Sequence, residues 1–441
     1  MRLSVNQVLA AVNGNLLFGN TKKEFDIVSR DSNENIKGSL FVPIKGEKYD
    51  GHIFINDAVK NGAIGYLTEN DERFNCDFAI KVTNTKKALG DLARYVIAKI
   101  NPTVIGITGS VGKTTTRNFV ASVLAKIGKT AATIGNFNND IGLPLSILAM
   151  DGDEKFAVLE MGMNKAGEIS YLTKIAKPDI AVITLIGTSH IEYLGNQENI
   201  LKAKLEILEG LKENGKIVFN GVNDILYSLK DEYSPEYYGR DISIISENEP
   251  SKFVIDNETY EIDTAGVHNI INASCGVLIG KLLGGSPDQI RAGLKDFVPE
   301  KYRQEIVYIG EKTIIKDYYN ASLDSDIAAL SVLKSCNGKR KVAILGAIGE
   351  LGNHLEVILN KVGEAVFKSE ADLLICVDEN SNYIKEGALK AGMPPEKIFH
   401  FEAKEKFYKN INSILENDDT ILIKASRAYK FEELYEFLKG S

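Results

Sequence analysis

The chain reads as an α/β protein with three domains. A small α/β domain comes first. A central domain follows, built on a mostly parallel sheet and entered through a phosphate-binding loop. A Rossmann-like domain closes the chain. Three observations predict this. From residue 103 onward, β-rich apolar runs alternate with helical patterns, as they do in a parallel sheet with helical crossovers. The first run, Val104–Thr108, ends in Gly109-Ser-Val-Gly112 and then Lys113-Thr114-Thr115. After Pro299 the alternation restarts without a glycine-rich fingerprint of its own.

Residues 1–98 make up the first predicted domain. The opening Met-Arg-Leu-Ser-Val-Asn-Gln-Val-Leu-Ala-Ala-Val reads as a short amphipathic helix, because Asn6 and Gln7 interrupt its apolar run. Short strands are expected at Ser39–Ile44, Ile64–Leu67 and Phe78–Val82, and a helix over Thr85–Ile100. Asn101-Pro102 marks a break. The central domain, 99–300, carries strand-like runs at Val104–Thr108, Ala131–Ile134, Phe156–Met161, Ile180–Ile186 and Lys216–Phe219, with an antiparallel extension within 229–264. The third, 301–441, has runs at 313–315, 341–345, 372–377, 397–401 and 420–423 between helices, the pattern of a smaller doubly wound domain.

Length and composition agree. The 441 residues suit roughly three domains. A net charge of −8 argues against nucleic-acid or anionic-membrane binding. No apolar stretch approaches membrane-spanning length. The four cysteines lack CxxC spacing and read as small buried side chains in a reducing compartment. A cytoplasmic monomer is the expectation.

The chemistry starts at the loop. Gly109 and Gly112 let backbone N–H groups close around phosphate oxygens, Lys113 reaches the terminal phosphates, and Thr114 offers a hydroxyl to magnesium. Only Ser110 and Val111 separate Gly109 from Gly112, fewer than in the usual loop. Glu160, at the end of Phe-Ala-Val-Leu-Glu, would emerge at the carboxyl edge of a buried strand, and its oxygens suit magnesium beside Thr114. His190 stands just past another buried run and can act as a ligand if a divalent ion lies near. Residues 197–212 read as one helix with a stripe of Ile200, Leu201, Ile207, Leu208 and Leu211, and Lys204 falls inside that stripe. Two readings of Lys204 stand open: a snorkelling lysine, or an amine that takes up carbon dioxide to become a metal-binding carbamate.

These motifs resemble those of the Mur ligases of peptidoglycan synthesis, from about residue 5 to the C-terminus and most densely over 103–275. Within the family the likeness is greatest to the branch that adds D-alanyl-D-alanine to UDP-N-acetylmuramoyl-tripeptide. The resemblance implies a UDP-sugar-binding first domain, a central ATP-binding domain and a C-terminal domain that closes over the acceptor amine. It implies ATP with two magnesium ions as cofactors, and a UDP-sugar-peptide and a dipeptide or amino acid as substrates. Residues 108–116, with Ser110 and Thr115, become the ATP loop. Glu160, His190 and a carbamylated Lys204 become metal ligands beside Thr114. Asn138 and Asn139 line the substrate cleft. His268-Asn-Ile-Ile-Asn-Ala assigns Asn269 and Asn272 to the adenine, and Arg303 and Asp317 to the terminal phosphate and the nucleotide. Asp31 and Ser32 belong to the UDP-substrate domain. Arg427 is our candidate for gripping the acceptor's carboxylate.

Several positions depart from the family pattern. Asn33 stands where arginine follows Asp-Ser. Lys316-Asp-Tyr-Tyr-Asn-Ala-Ser-Leu323 replaces Asp-Asp-Ser-Tyr-Asn-Ala-Asn-Pro. Tyr302 replaces glycine, Ala347 replaces aspartate, and Lys424-Ala-Ser-Arg-Ala428 replaces Lys-Gly-Ser-Arg-Gly. These leave two alternatives: a paralogue joining another amine and carboxylate, or a non-catalytic nucleotide-binding regulator.

Overall fold

Helix starts and stops in the computed structural model follow local chemistry. The structure describes residues 1–34, 36–46 and 48–440. Contacts divide them into two units: Met1–Thr108 with Ile127–Val182 and Leu205–Ile217, and Gly109–Lys126 with Ile183–Lys204 and the chain from Val218 onward.

In the first unit, the predicted amphipathic helix spans Val5–Val12 and buries Val5, Val8 and Val12. Ser4 and Gln7 form a reciprocal cap, Gln7 N–H to Ser4 Oγ at 3.3 Å and Ser4 N–H to Gln7 Oε1 at 2.8 Å. The helix Thr85–Ile100 runs as expected, because Asn84 accepts the Lys87 N–H at 2.7 Å and Asn101 turns left-handed at φ 52° before Pro102. The first sheet has the strand order Asn15–Gly19, Phe78–Lys81, Gly65–Thr68, Leu40–Phe41, Val28–Ser29. Only its first pair is antiparallel. The strand expected over Ser39–Ile44 is shorter, and Asn15–Gly19, unanticipated, is half-exposed at the sheet edge. The strands Thr103–Thr108, Phe156–Glu160 and Thr130–Ala132 pair in parallel. Every residue of Phe156–Glu160 is buried, which is why that run shows no polar alternation.

The stretch 197–212 is not one helix. An α-helix ends at Leu205 and a 3-10 turn covers Glu206–Gly210. Glu206 explains part of the break. Its carboxylate accepts the Gly167 and Ser170 N–H groups at 2.7 and 3.1 Å, capping the helix Glu168–Ala176 instead of facing solvent.

In the second unit, the helix Lys113–Leu124 packs on Val267–Leu282 and Pro287–Lys295. Phe119 stacks on Phe297 at 3.6 Å between centroids. Val218–Asn220 runs parallel to Glu236–Tyr238. The expected antiparallel extension is the sheet Ser243–Ser246, Ser251–Ile255, Glu258–Ile262. The C-terminal sheet has the order Glu305–Ile309, Lys312–Lys316, Asp419–Lys424, Arg340–Leu345, Leu373–Val377, Ile398–Phe401. All its pairs are parallel except the first, a hairpin the sequence reading missed. Ile344, Ile375, Ile421 and Ile423 centre its core. The four cysteines are free thiols, and only Cys275 and Cys376 are fully buried. Among the described residues no helix is long and apolar enough to cross a membrane.

Candidate active site

The loop after Thr108 is built so that only glycine fits at both ends. Gly109 has φ 146° and Gly112 φ 85°, a region that L-residues avoid. A Cβ on Gly109 would run into Thr184 Oγ1, and one on Gly112 would come within 3.0 Å of Asn272 Oδ1. Four bonds fix the loop between them. Ser110 N–H donates to Leu185 O at 2.8 Å, Gly187 N–H to Ser110 Oγ at 3.0 Å, and Thr184 Oγ1 to Val111 O at 2.6 Å. Lys113 Nζ folds back to Gly109 O at 2.9 Å. The helix Lys113–Leu124 starts here, so its first-turn N–H groups and positive dipole end face the loop mouth.

Beside this loop the second unit holds a cavity of about 280 Å³. Six residues assigned to the nucleotide line it: Gly112, Thr115, Asn269, Asn272, Arg303 and Asp317. Asn272 Oδ1 accepts from Thr116 Oγ1 at 3.1 Å, which fixes its amide. Arg303 Nη2 reaches Thr114 Oγ1 at 3.4 Å. Asp317 Oδ2 accepts from Lys424 Nζ at 2.7 Å.

Several lining residues were not assigned from the sequence, Gln304, His268 and Lys424 among them. Gln304 Oε1 lies 2.8 Å from His268 Nε2 and accepts from Asn269 Nδ2 at 3.2 Å. Burial lowers the His268 pKa, which favours the neutral ring. Lys424, 1 % exposed, also donates to Asn320 O at 3.2 Å. Their sequence signals were adjacency to Arg303 for Gln304, the first place in His268-Asn-Ile-Ile-Asn-Ala for His268, and membership of the Lys424-Ala-Ser-Arg segment for Lys424.

Glu160 and Asn138 meet in the first unit. Glu160 is 2 % exposed, its N–H donates to Thr133 Oγ1 at 2.8 Å, and its Oε1 accepts from Asn138 Nδ2 at 2.8 Å. Asn139 is exposed and turned to its own chain, its Oδ1 accepting the Ile141 and Gly142 N–H groups. Asp31 likewise closes a local turn by accepting the Asn33 N–H at 2.9 Å, while Ser32 is buried and its carbonyl accepts from Asn61.

Lys204 is 0 % exposed and its amine is buried. That overturns the snorkelling reading. His190 begins a short turn with φ 65°, and its Nδ1 lies 2.6 Å from Glu350 Oε2. The contact with His190 holds the Glu350 carboxyl below its ordinary pKa. Arg427 is exposed, 6.0 Å from the Tyr319 ring, over which Arg303 also sits at 4.2 Å. Tyr319 therefore gathers Arg303 and Arg427 at one ring.

Two departures from the family pattern are packed on each other. Lys316 Nζ pairs with Glu305 at 2.9 Å and lies 5.4 Å from the Tyr302 ring. Neither Lys316 nor Tyr302 lines the cavity. At a third departure, the Ala347 N–H donates to Asp378 Oδ2 at 2.8 Å. A carboxylate from the next strand end thus occupies that turn.

Asp326 is 1 % exposed, with its Oδ1 3.7 Å from Lys424 Nζ. Burial pushes its carboxyl up to about 7, against the pull of Lys424. A carboxyl raised on folding stabilises the protein at low pH and loses that contribution as pH rises from roughly 4 to about 7. Asp326→Asn is expected to remove this slope. Urea unfolding at several pH values should show the variant gaining on the wild type as pH climbs, by at most about 4 kcal/mol. A pH-independent difference would refute the assignment.

Residues 107–280 match the family described as Mur ligase middle domain, and residues 302–427 the Mur ligase, glutamate ligase domain. The chain is 35 % identical to the UDP-N-acetylmuramoyl-tripeptide--D-alanyl-D-alanine ligase of Bacillus subtilis, over 92 % of each chain. The fold superposes on MurF from Acinetobacter baumannii with TM-score 0.90 and 28 % identity, covering 100 % of this chain and 99 % of that one. MurF ligase from Thermotoga maritima in complex with ADP gives TM-score 0.81 at 28 % identity, over 94 % and 97 %.

Proposed function

The chain belongs to the Mur ligase family, and from that premise we propose that it joins D-alanyl-D-alanine to UDP-N-acetylmuramoyl-tripeptide, with ATP converted to ADP, in peptidoglycan precursor synthesis. The observation that carries the reading is the cavity beside the phosphate loop, lined by six residues that the family resemblance assigns to one nucleotide. The ADP held by the Thermotoga maritima relative supports it. We assign 1–98 to the UDP-substrate domain, 99–300 to the ATP domain and 301–441 to the acceptor domain. The protein acts as a cytoplasmic monomer.

The reaction has two displacements. A substrate carboxylate oxygen attacks the γ-phosphorus, the bond to the β-phosphate oxygen breaks, and ADP leaves an acyl phosphate. The acceptor amine then attacks the acyl carbon, the C–O bond to phosphate breaks, and the nitrogen loses a proton. Lys113 and the helix N-terminus neutralise charge on the moving phosphoryl group. Arg303 holds its outer oxygens, and Asn269, Asn272 and Asp317 fix the nucleoside. Oxygen donors at Thr114 and Glu160, with the His190 imidazole, suit magnesium by donor type. Bound magnesium supplies Lewis-acid stabilisation of phosphoryl charge. A carbamate on Lys204 would add a further carboxylate. Asp31, Ser32, Asn138 and Asn139 serve the UDP-peptide.

Arg427 grips the acceptor carboxylate in this reading. Arg427→Ala is expected to raise the dipeptide KM about tenfold or more while moving the ATP KM little. An unchanged dipeptide KM would discard that role. The decisive experiment measures phosphate release with ATP, magnesium and UDP-N-acetylmuramoyl-tripeptide, with and without D-alanyl-D-alanine, followed by mass spectrometry. Dipeptide-dependent release with a UDP-pentapeptide product supports the proposal. Folded, nucleotide-binding protein without turnover would overturn it in favour of another substrate pair.

A further inference from the structure

We infer that Glu350 is a positioning residue for His190: its carboxylate keeps the proton on Nδ1 and so presents Nε2, unprotonated, as the ligand atom of the ring. The role of Nε2 rests on the family reading of His190, whereas the tautomer rests on geometry. Nδ1 is buried, 2.6 Å from Glu350 Oε2, and makes no in-line hydrogen bond. Two lone pairs at that separation would repel, so the nitrogen facing the carboxylate carries the hydrogen. Without such a neighbour a neutral imidazole is free to protonate either nitrogen. A carboxylate behind a ligating imidazole fixes its tautomer and raises its basicity.

Backbone on both sides imposes the approach. His190 and Glu350 are both left-handed, at φ 65° and 60°, and Gly352 has φ 49°. The Glu192 N–H donates to Glu350 O at 3.2 Å. A Cβ on Gly352 would lie 3.1 Å from Glu192 Cγ, so that glycine admits the neighbouring loop. His354 Nε2 lies 3.1 Å from Gly195 O. The loops 187–195 and 350–354 therefore clasp at several points. The carboxylate comes from the C-terminal side of the chain, so the ligand form of His190 is secured only while that clasp is closed.

The chain has five histidines, few enough to resolve by nitrogen NMR. Full-length protein carrying ¹⁵N-histidine, free of metal and nucleotide, would be recorded at about pH 8.5, where an ordinary imidazole is neutral. His190→Gln assigns the His190 resonances. The expected wild-type pattern is a protonated Nδ1 and a bare Nε2. Glu350→Ala should shift it toward the Nε2–H form, and Glu350→Gln, which keeps an acceptor oxygen, should retain it. In turnover, Glu350→Ala should lose about 10- to 100-fold in kcat, with Glu350→Gln partly rescued. A wild-type Nε2–H pattern overturns the inference even if Glu350→Ala does not fold. So does an unchanged pattern in Glu350→Ala. Full activity of His190→Ala would instead sink the family reading of His190, and the tautomer data would still judge Glu350 separately.

Discussion

Replacing Lys113 by alanine is expected to abolish ADP formation while leaving the protein folded. The side chain lies at the first turn of its helix and donates to Gly109 O at 2.9 Å and Ser110 O at 3.4 Å. Those bonds are short-range, and the loop is tied separately through Ser110, Val111 and Thr184. Loss of the lysine therefore removes charge from the phosphate site without releasing the loop. The expected loss in kcat is on the order of 10³-fold, the scale of deleting one preorganised donor to a transition-state oxyanion. Lys113→Arg tests geometry against charge, since a guanidinium cannot replace a compact ammonium at a phosphate cradle. Retained turnover in Lys113→Ala would refute the assignment of residues 108–116.

The second large effect is expected at Lys204. Its amine is sealed from solvent, at 0 % exposure, so a solubilising role is excluded. If it works as a carbamate, the nitrogen bonds to carbon dioxide, a proton leaves, and a carboxylate sits on a long arm. Lys204→Ala then removes an oxygen ligand and should cost about 10²-fold or more in kcat. Acetate or another short carboxylate should restore part of the activity by entering the space left behind. Lys204→Met, close in volume, separates a packing defect from lost chemistry. Full activity in either variant removes the carbamate from the mechanism. A loss that no carboxylate rescues in the alanine variant, together with a lowered Tm, would make the lysine structural.

Much of this site was legible in the sequence because its chemistry is local. Gly109, Gly112, Lys113 and Thr114 lie within six residues, and each needs its residue type for a reason visible in the chain. The strand runs of the central and C-terminal sheets were legible for a related reason: strands buried on both faces are written as unbroken apolar runs. What escaped has tertiary causes. Asn15–Gly19 is a half-exposed edge strand with no clear apolar run. The stretch 197–212 breaks at Glu206 because that carboxylate caps a helix that begins at Glu168. Glu350 matters through a histidine far away in sequence, and Gln304 through His268 and Asn269. Asp326 looks like an ordinary helix residue until its burial beside Lys424 is known.

Glu300, Arg303 and Gln304 each anchor the segment Glu300–Gln304 to a distant part of the chain. Glu300 pairs with the buried Arg117 at 2.9 Å, Arg303 approaches Thr114, and Gln304 meets His268 and Asn269. Tyr302 and Gln304 are both left-handed, at φ 64° and 54°. Connections between structural elements ordinarily accept insertions and deletions over evolutionary time. This one cannot: one added or lost residue would move all three anchors out of register at once. Length variation among descendants of this chain should therefore accumulate elsewhere, and this short join should persist as a fixed-length ruler even where its residues change.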